Sequence, residues 1–115
     1  MGTSTPVVHF LIGGTDAARL AGFYEGIFDW NVDPEGGSVD GHDKDDGFGI
    51  SGNIVPTRHE PFVAIYVRVA DPQATLDEVV QRGGKVLRGV TDTPGQATTA
   101  LFADPEGNVI GLVKA

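Results

Sequence analysis

The sequence predicts an α+β fold built from two βαβββ units. Three observations lead there. A β-rich run followed by an apolar helical stripe occurs twice, in the same order. Short strand-like runs broken by glycine and proline turns follow each stripe. A chain of 115 residues fits one domain, or two small halves sharing a core.

Val7-Val8-His9-Phe10-Leu11-Ile12 is a β-rich run stopped by Gly13-Gly14. A helix is expected next, with Thr15 as N-cap and Asp16 beside the positive end of the dipole. Leu20, Phe23, Tyr24, Ile27 and Phe28 recur at three- and four-residue spacing and form one apolar stripe. The helix should stop near Phe28 or Asp29. Short strands are expected at about 30–33, 37–41 and 47–54.

The second half repeats this order. Phe62 to Val69 alternates, with Val63, Ile65, Val67 and Val69 on one face and Phe62, Ala64, Tyr66 and Arg68 on the other. The β-branched face should pack under a helix; the mixed face suits a ligand surface. Asp71-Pro72 is a strong helix start, and Gly83-Gly84 a stop. Leu76, Val79 and Val80 make the expected buried stripe. Strands follow at about 85–90, 97–103 and 108–114. Laying His9 on Ala64 puts Asp16 on Asp71, Ala21 on Leu76 and Trp30 on Lys85 at one constant offset. Module one is therefore expected over about 6–55, a linker over about 55–61, and module two over about 62–115 of a single domain.

Composition narrows the function classes. Sixteen acidic against eight basic residues give a net charge of −8, which repels phosphate backbones and anionic lipid. Neither nucleic acid nor a membrane is an expected partner. The apolar runs are too short to span a bilayer, and Met1 to Pro6 carries no Lys or Arg of a secretory signal. There is no cysteine, so no disulfide or thiolate metal site can form. A soluble cytoplasmic protein is expected.

The ordered set of motifs resembles the vicinal oxygen chelate superfamily, which holds glyoxalase I, extradiol dioxygenases and the bleomycin- and fosfomycin-resistance proteins. The resemblance is carried by His9-Phe10-Leu11-Ile12, by Ala21-Gly22-Phe23-Tyr24-Glu25-Gly26-Ile27-Phe28-Asp29-Trp30 and by Tyr66-Val67-Arg68-Val69-Ala70-Asp71-Pro72. Gly83-Gly84-Lys85-Val86, Thr93-Pro94-Gly95 and Phe102 to Leu112 with its Asp104-Pro105-Glu106-Gly107-Asn108 turn complete it. Asp29 stands where the family usually has glycine before the tryptophan. The resemblance implies a cup-shaped mixed sheet with helices outside, commonly in a homodimer.

Metal-using members of the superfamily hold a divalent ion with His and Glu from the first and last strands of each module. His9 occupies one such position. Ala64 and Gly111 occupy two others and carry no donor, and 47–55 contains no Asp, Glu or His. No metal or other cofactor is therefore expected. A non-standard site using His42 with Asp43, Asp45 and Asp46, or His59 with Glu60, stays open, although such charge runs are usually solvated.

Gly47-Phe48-Gly49-Ile50-Ser51-Gly52 matches the dinucleotide glycine pattern but lacks the preceding strand and following helix that aim amides at a pyrophosphate. None of Ser4, Ser38 and Ser51 sits in a nucleophile elbow.

The expected ligand-binding residues are His9, Phe62, Tyr66 and Arg68, with Val7, Leu11, Val109 and Val113 beside them. Phe62 and Tyr66 can stack on a planar ligand, and Arg68 can pair with an oxyanion. Two functions follow. One is a metal-independent protein that binds or sequesters a small molecule. The other is a lyase, isomerase or hydroxylase acting on a small carbonyl metabolite, with His9 as catalytic base.

Overall fold

The computed structural model describes residues 5–115 and shows a mixed α+β fold with two helices and seven strands among them. The chain divides into two compact units, one formed by 9–63 and the other by 64–115 with the first residues of the leading strand.

In the first unit, β1 (Val7–Gly14) pairs in parallel with β3 (Ser51–Pro56), and β3 pairs antiparallel with the short β2 (Ser38–Val39). Helix α1 (Ala17–Phe28) is capped by Asp16 rather than Thr15, because the Asp16 carboxylate accepts the Arg19 amide at 3.1 Å. Asp29 ends it in the left-handed conformation at φ 59°, the region glycine adopts most cheaply. Phe10, Ile12, Leu20, Ala21, Tyr24 and Trp30 pack around buried Val32, Val39 and Ile54.

Two expectations fail here. The 30–33 strand is reduced to a single bridge between Val32 and Val39. Glu25 takes the Val32 amide at 3.0 Å, and Pro34 has no N–H to extend a ladder. The α1 stripe is also split. Leu20 and Tyr24 reach the core, whereas Phe23, Ile27 and Phe28 remain 58%, 55% and 55% exposed. Further along, strand structure begins at Ser51, not Gly47. Gly47 and Gly49 lie at φ 77° and 112°, and a side chain at Gly49 would strike the Gly41 carbonyl. Only Ser51 and Gly52 of the glycine-rich motif are therefore strand.

In the second unit, the strand order is β4 (Phe62–Val69), β7 (Val109–Lys114), β6 (Thr99–Ala103), β5 (Lys85–Thr91). The β4–β7 pair is parallel and the others antiparallel. The Arg68 amide also donates to the Pro6 carbonyl at 2.9 Å. Helix α2 (Pro72–Gln81) begins as expected, with Asp71 accepting the Ala74 amide and Pro72 in the first turn. Its Leu76 is buried with Val69, Ala100 and Leu112. Val80 instead faces solvent, as do Val63 (67% exposed) and Ile65. The helix packs on β5, β6 and β7, so only Val67 and Val69 of the β-branched face lie in the core.

Candidate functional site

Strand alternation assigns each predicted residue to a sheet face. In the first unit, Phe10 and Ile12 point into the core with α1, so His9 and Leu11 point to the opposite face. The register pairs His9 with Ser51 and Leu11 with Asn53, which places both partners on that same face. Gly52 lies on the core side, where the Phe10 ring fills the space of a side chain.

His9 does not stand as a bare imidazole. Its Nε2 lies 2.6 Å from Asn53 Oδ1, and Asn53 Nδ2 donates to the Gly36 carbonyl at 3.1 Å. The second bond orients the amide. Its oxygen can only accept, so Nε2 of His9 must carry a proton. In the neutral ring the basic lone pair is then on Nδ1. In the sequence Asn53 carries neither an acid nor an imidazole to mark it. Its signal is positional, since the parallel pairings place Asn53 in its unit where Gly111 stands in the other.

The acidic hairpin also reaches this face. His42 Nδ1 lies 2.8 Å from Asp40 Oδ1 and 3.4 Å from Ser51 Oγ. The His42 side-chain hydrogen bond, with help from its backbone amide, holds the Asp40 carboxyl below its ordinary value. The three residues do not make a hydrolytic triad, which needs both ring nitrogens, one for the acid and one for the serine. Here one nitrogen serves both. His59 sits exposed in the connector, its amide donating to Thr57 Oγ1.

Phe62 lies at the other end of β1, where its ring covers Gly13. It borders an open cavity of about 680 Å³ with Leu20, Phe23, Tyr24 and Val63, and with Asp16 and Arg19 at the polar end. His9 is not among the residues bordering it. Trp30 packs against Phe10, Tyr24 and Phe28 at ring separations of 5.5, 5.7 and 5.1 Å.

In the second unit, Tyr66 and Arg68 share the face of β4 opposite the α2 core, beside Val109 and Val113 of β7. The Tyr66 ring lies over Gly111, and a Cβ there would come within 2.5 Å of it. Ala64, on the same face, is buried.

These positions do not fit the superfamily's divalent ion. The His9 neighbour that could mirror a Glu is the amide of Asn53, whose oxygen already accepts from His9. Ala64 has only a methyl. The space beside Gly111 is occupied by an aromatic ring. Among the described residues no three His, Asp or Glu side chains are grouped to hold a metal.

A sheet unit of strand, helix and returning strands, occurring twice in one short chain, defines the glyoxalase-like class. The chain belongs to the glyoxalase-like domain family, which matches residues 9–113, and through it to the vicinal oxygen chelate superfamily. It is 28% identical over 110 residues to "Putative glyoxylase CFP32" of Mycobacterium bovis and equally to the protein of that name in Mycobacterium tuberculosis. The match covers 88% of this chain but spans only 42% of the length of those relatives. Among solved structures, a variant of Streptomyces coelicolor methylmalonyl-CoA epimerase in complex with 2-nitronate-propionyl-CoA superposes with a TM-score of 0.66. It is 19% identical, with 98% of this chain and 99% of that one covered. Mycobacterium tuberculosis methylmalonyl-CoA epimerase gives 0.61 at 14% identity, covering 99% and 92%. A Legionella pneumophila protein described as an NAD-dependent benzaldehyde dehydrogenase gives 0.63 at 10% identity, covering 92% and 96%. At these identities the superpositions establish the fold alone.

No helix among the described residues is long and apolar enough to cross a membrane.

Proposed function

We propose that this chain binds a small carbonyl-bearing or planar metabolite without a metal, as a glyoxalase/bleomycin-resistance-like binding protein. The observation that carries the reading is the filled position at Gly111. Where metal-using relatives present a carboxylate, this chain packs the Tyr66 ring. The ligand contacts proposed are His9 and Phe62 in the first unit and Tyr66 and Arg68 in the second, each considered within its own unit. The small-molecule class is supported by methylmalonyl-CoA epimerase structures of this fold that hold CoA esters.

The test is elemental analysis of purified protein followed by calorimetry against planar natural products and dicarbonyls. Saturable binding by metal-free, chelator-treated protein is the expected result. A stoichiometric ion whose removal abolishes binding rejects the proposal.

One observation favours a catalytic reading beside it. The Asn53 bond fixes the His9 tautomer, which is what a general base acting through Nδ1 requires. A lyase, isomerase or hydroxylase acting on a small carbonyl compound would use His9 as base. Turnover that survives His9→Ala removes it.

The protein is further proposed to work as a cytoplasmic homodimer. The exposed Phe23, Ile27 and Phe28 ridge of α1 supports the dimer, since apolar surface of this kind is usually covered. The cysteine-free composition accords with a reducing compartment.

A further inference from the structure

The second unit carries, on the sheet face of Arg68, a second guanidinium group, that of Arg88. Register places them. Arg68 on β4 pairs with Val113 on β7, and Val113 pairs with Thr99 on β6. Arg88 on β5 pairs with Leu101, which pairs in turn with Gly111 beneath Tyr66. Partners in register share a face, so Arg68, Tyr66, Val113, Thr99, Leu101 and Arg88 all point away from α2.

Arg88 is exposed, but its side chain is tethered to the sheet. Its Nη2 donates to Thr99 Oγ1 at 2.7 Å, which holds the guanidinium beside β6, where Thr99 pairs with Val113. Arg68, also exposed, stands on β4, on the far side of β7 from Thr99. Two strand spacings, about 10 Å, separate the Arg68 and Thr99 backbones. Among the described residues neither arginine forms an ion pair, although acidic residues outnumber basic ones two to one. Asp92, in the loop leading to β6, is hydrogen-bonded to Thr98 instead, at 3.2 Å.

Two like charges on one sheet face repel each other. The arrangement is relieved by an anion, and guanidinium forks match planar or tetrahedral oxyanions in geometry as well as charge. We propose that Arg88 and Thr99 complete, with Arg68, a binding site for the oxyanion end of a ligand, a carboxylate or a phosphate. The Tyr66 ring flanks the same face and suits the carbon skeleton behind that group. This deepens the proposed small-molecule reading, because it rests on this face being a ligand surface and names the charge the ligand carries. Thr99 is a positioning residue that acts through Arg88.

The experiment is titration of the full chain with malonate, inorganic phosphate and the neutral malonamide, followed by amide NMR shifts and calorimetry. Malonate, phosphate or both should bind saturably and move the amides of Arg88, Thr99 and Val113, while malonamide should not. Preference between the two anions separates a carboxylate ligand from a phosphoester. Arg88→Met keeps the aliphatic stem and should weaken anion binding about tenfold or more. Thr99→Val should weaken it less and should disperse the Arg88 side-chain resonances, which a purely structural threonine would not do. Anions that bind no better than malonamide overturn the inference, as does unaltered affinity in a folded Arg88→Met. Anion binding that persists in His9→Ala, in a protein that takes up no carbonyl compound, would leave this site standing and remove the wider functional reading.

Discussion

The Tyr66 ring occupies the space above Gly111 on the neighbouring strand, so that the smallest side chain at position 111 would press on its ring carbons. The absence of a metal-binding carboxylate at 111 is thus part of a packing arrangement and not a simple deletion. Gly111→Ala should cost about 1–3 kcal/mol, as overpacked sites do, and Gly111→Glu more. Pairing either with Tyr66→Ala should recover part of the loss in a double-mutant cycle. Urea denaturation reads this directly, and a Gly111→Ala protein as stable as the parent would show that the ring moves aside freely.

The Asn53 contact makes a prediction about His9 that needs no substrate. With Oδ1 of the amide accepting, the neutral imidazole should be the Nε2–H tautomer, visible in its ring ¹⁵N shifts. Asn53→Ala should let the two tautomers mix while the fold persists, at a cost of about 1–3 kcal/mol for the two side-chain hydrogen bonds lost. An unchanged ¹⁵N pattern in that variant would remove Asn53 as the orienting group.

The α1 ridge predicts the state of association. Phe23→Ser with Ile27→Gln should shift the protein toward monomer in sedimentation, with little loss of stability, because neither side chain is in the core. If both proteins sediment as the same monomer, the ridge is not a self-association surface.

Asp104 closes the β6–β7 turn. Its Oδ2 accepts from the Asn108 side chain at 2.9 Å, and its Oδ1 accepts the Asn108 and Glu106 amides at 2.9 Å each. The Asn108 bonds, side chain first, hold its carboxyl below the ordinary 3.8. A carboxyl with a lowered folded-state value contributes stability that is fully present above the unfolded value. That contribution is lost as pH falls through the folded one. Asp104→Ala should therefore melt below the parent at neutral pH, with the gap closing on acidification below about 3.8. A gap of constant size across that window would mean that the charge is not what the turn uses.

The order of elements was legible in the residues because short-range physics sets it. Asp71-Pro72 starts α2 and Asp104 to Asn108 shapes a turn through bonds made within four residues. The alternation of β4 likewise placed Tyr66 and Arg68 on one face. Which of those faces lies in a core was decided only by the folded chain. Val63, Ile65, Phe23 and Ile27 carry the same apolar signal as Val69 and Leu76, yet a helix covers only the strands it crosses. The site shows the same division. His9 and Arg68 were recognisable as chemical types, but Asn53, Arg88 and Thr99 acquire meaning through partners 44 and 11 residues away in sequence. Strand register creates those contacts, and one-dimensional spacing does not encode it.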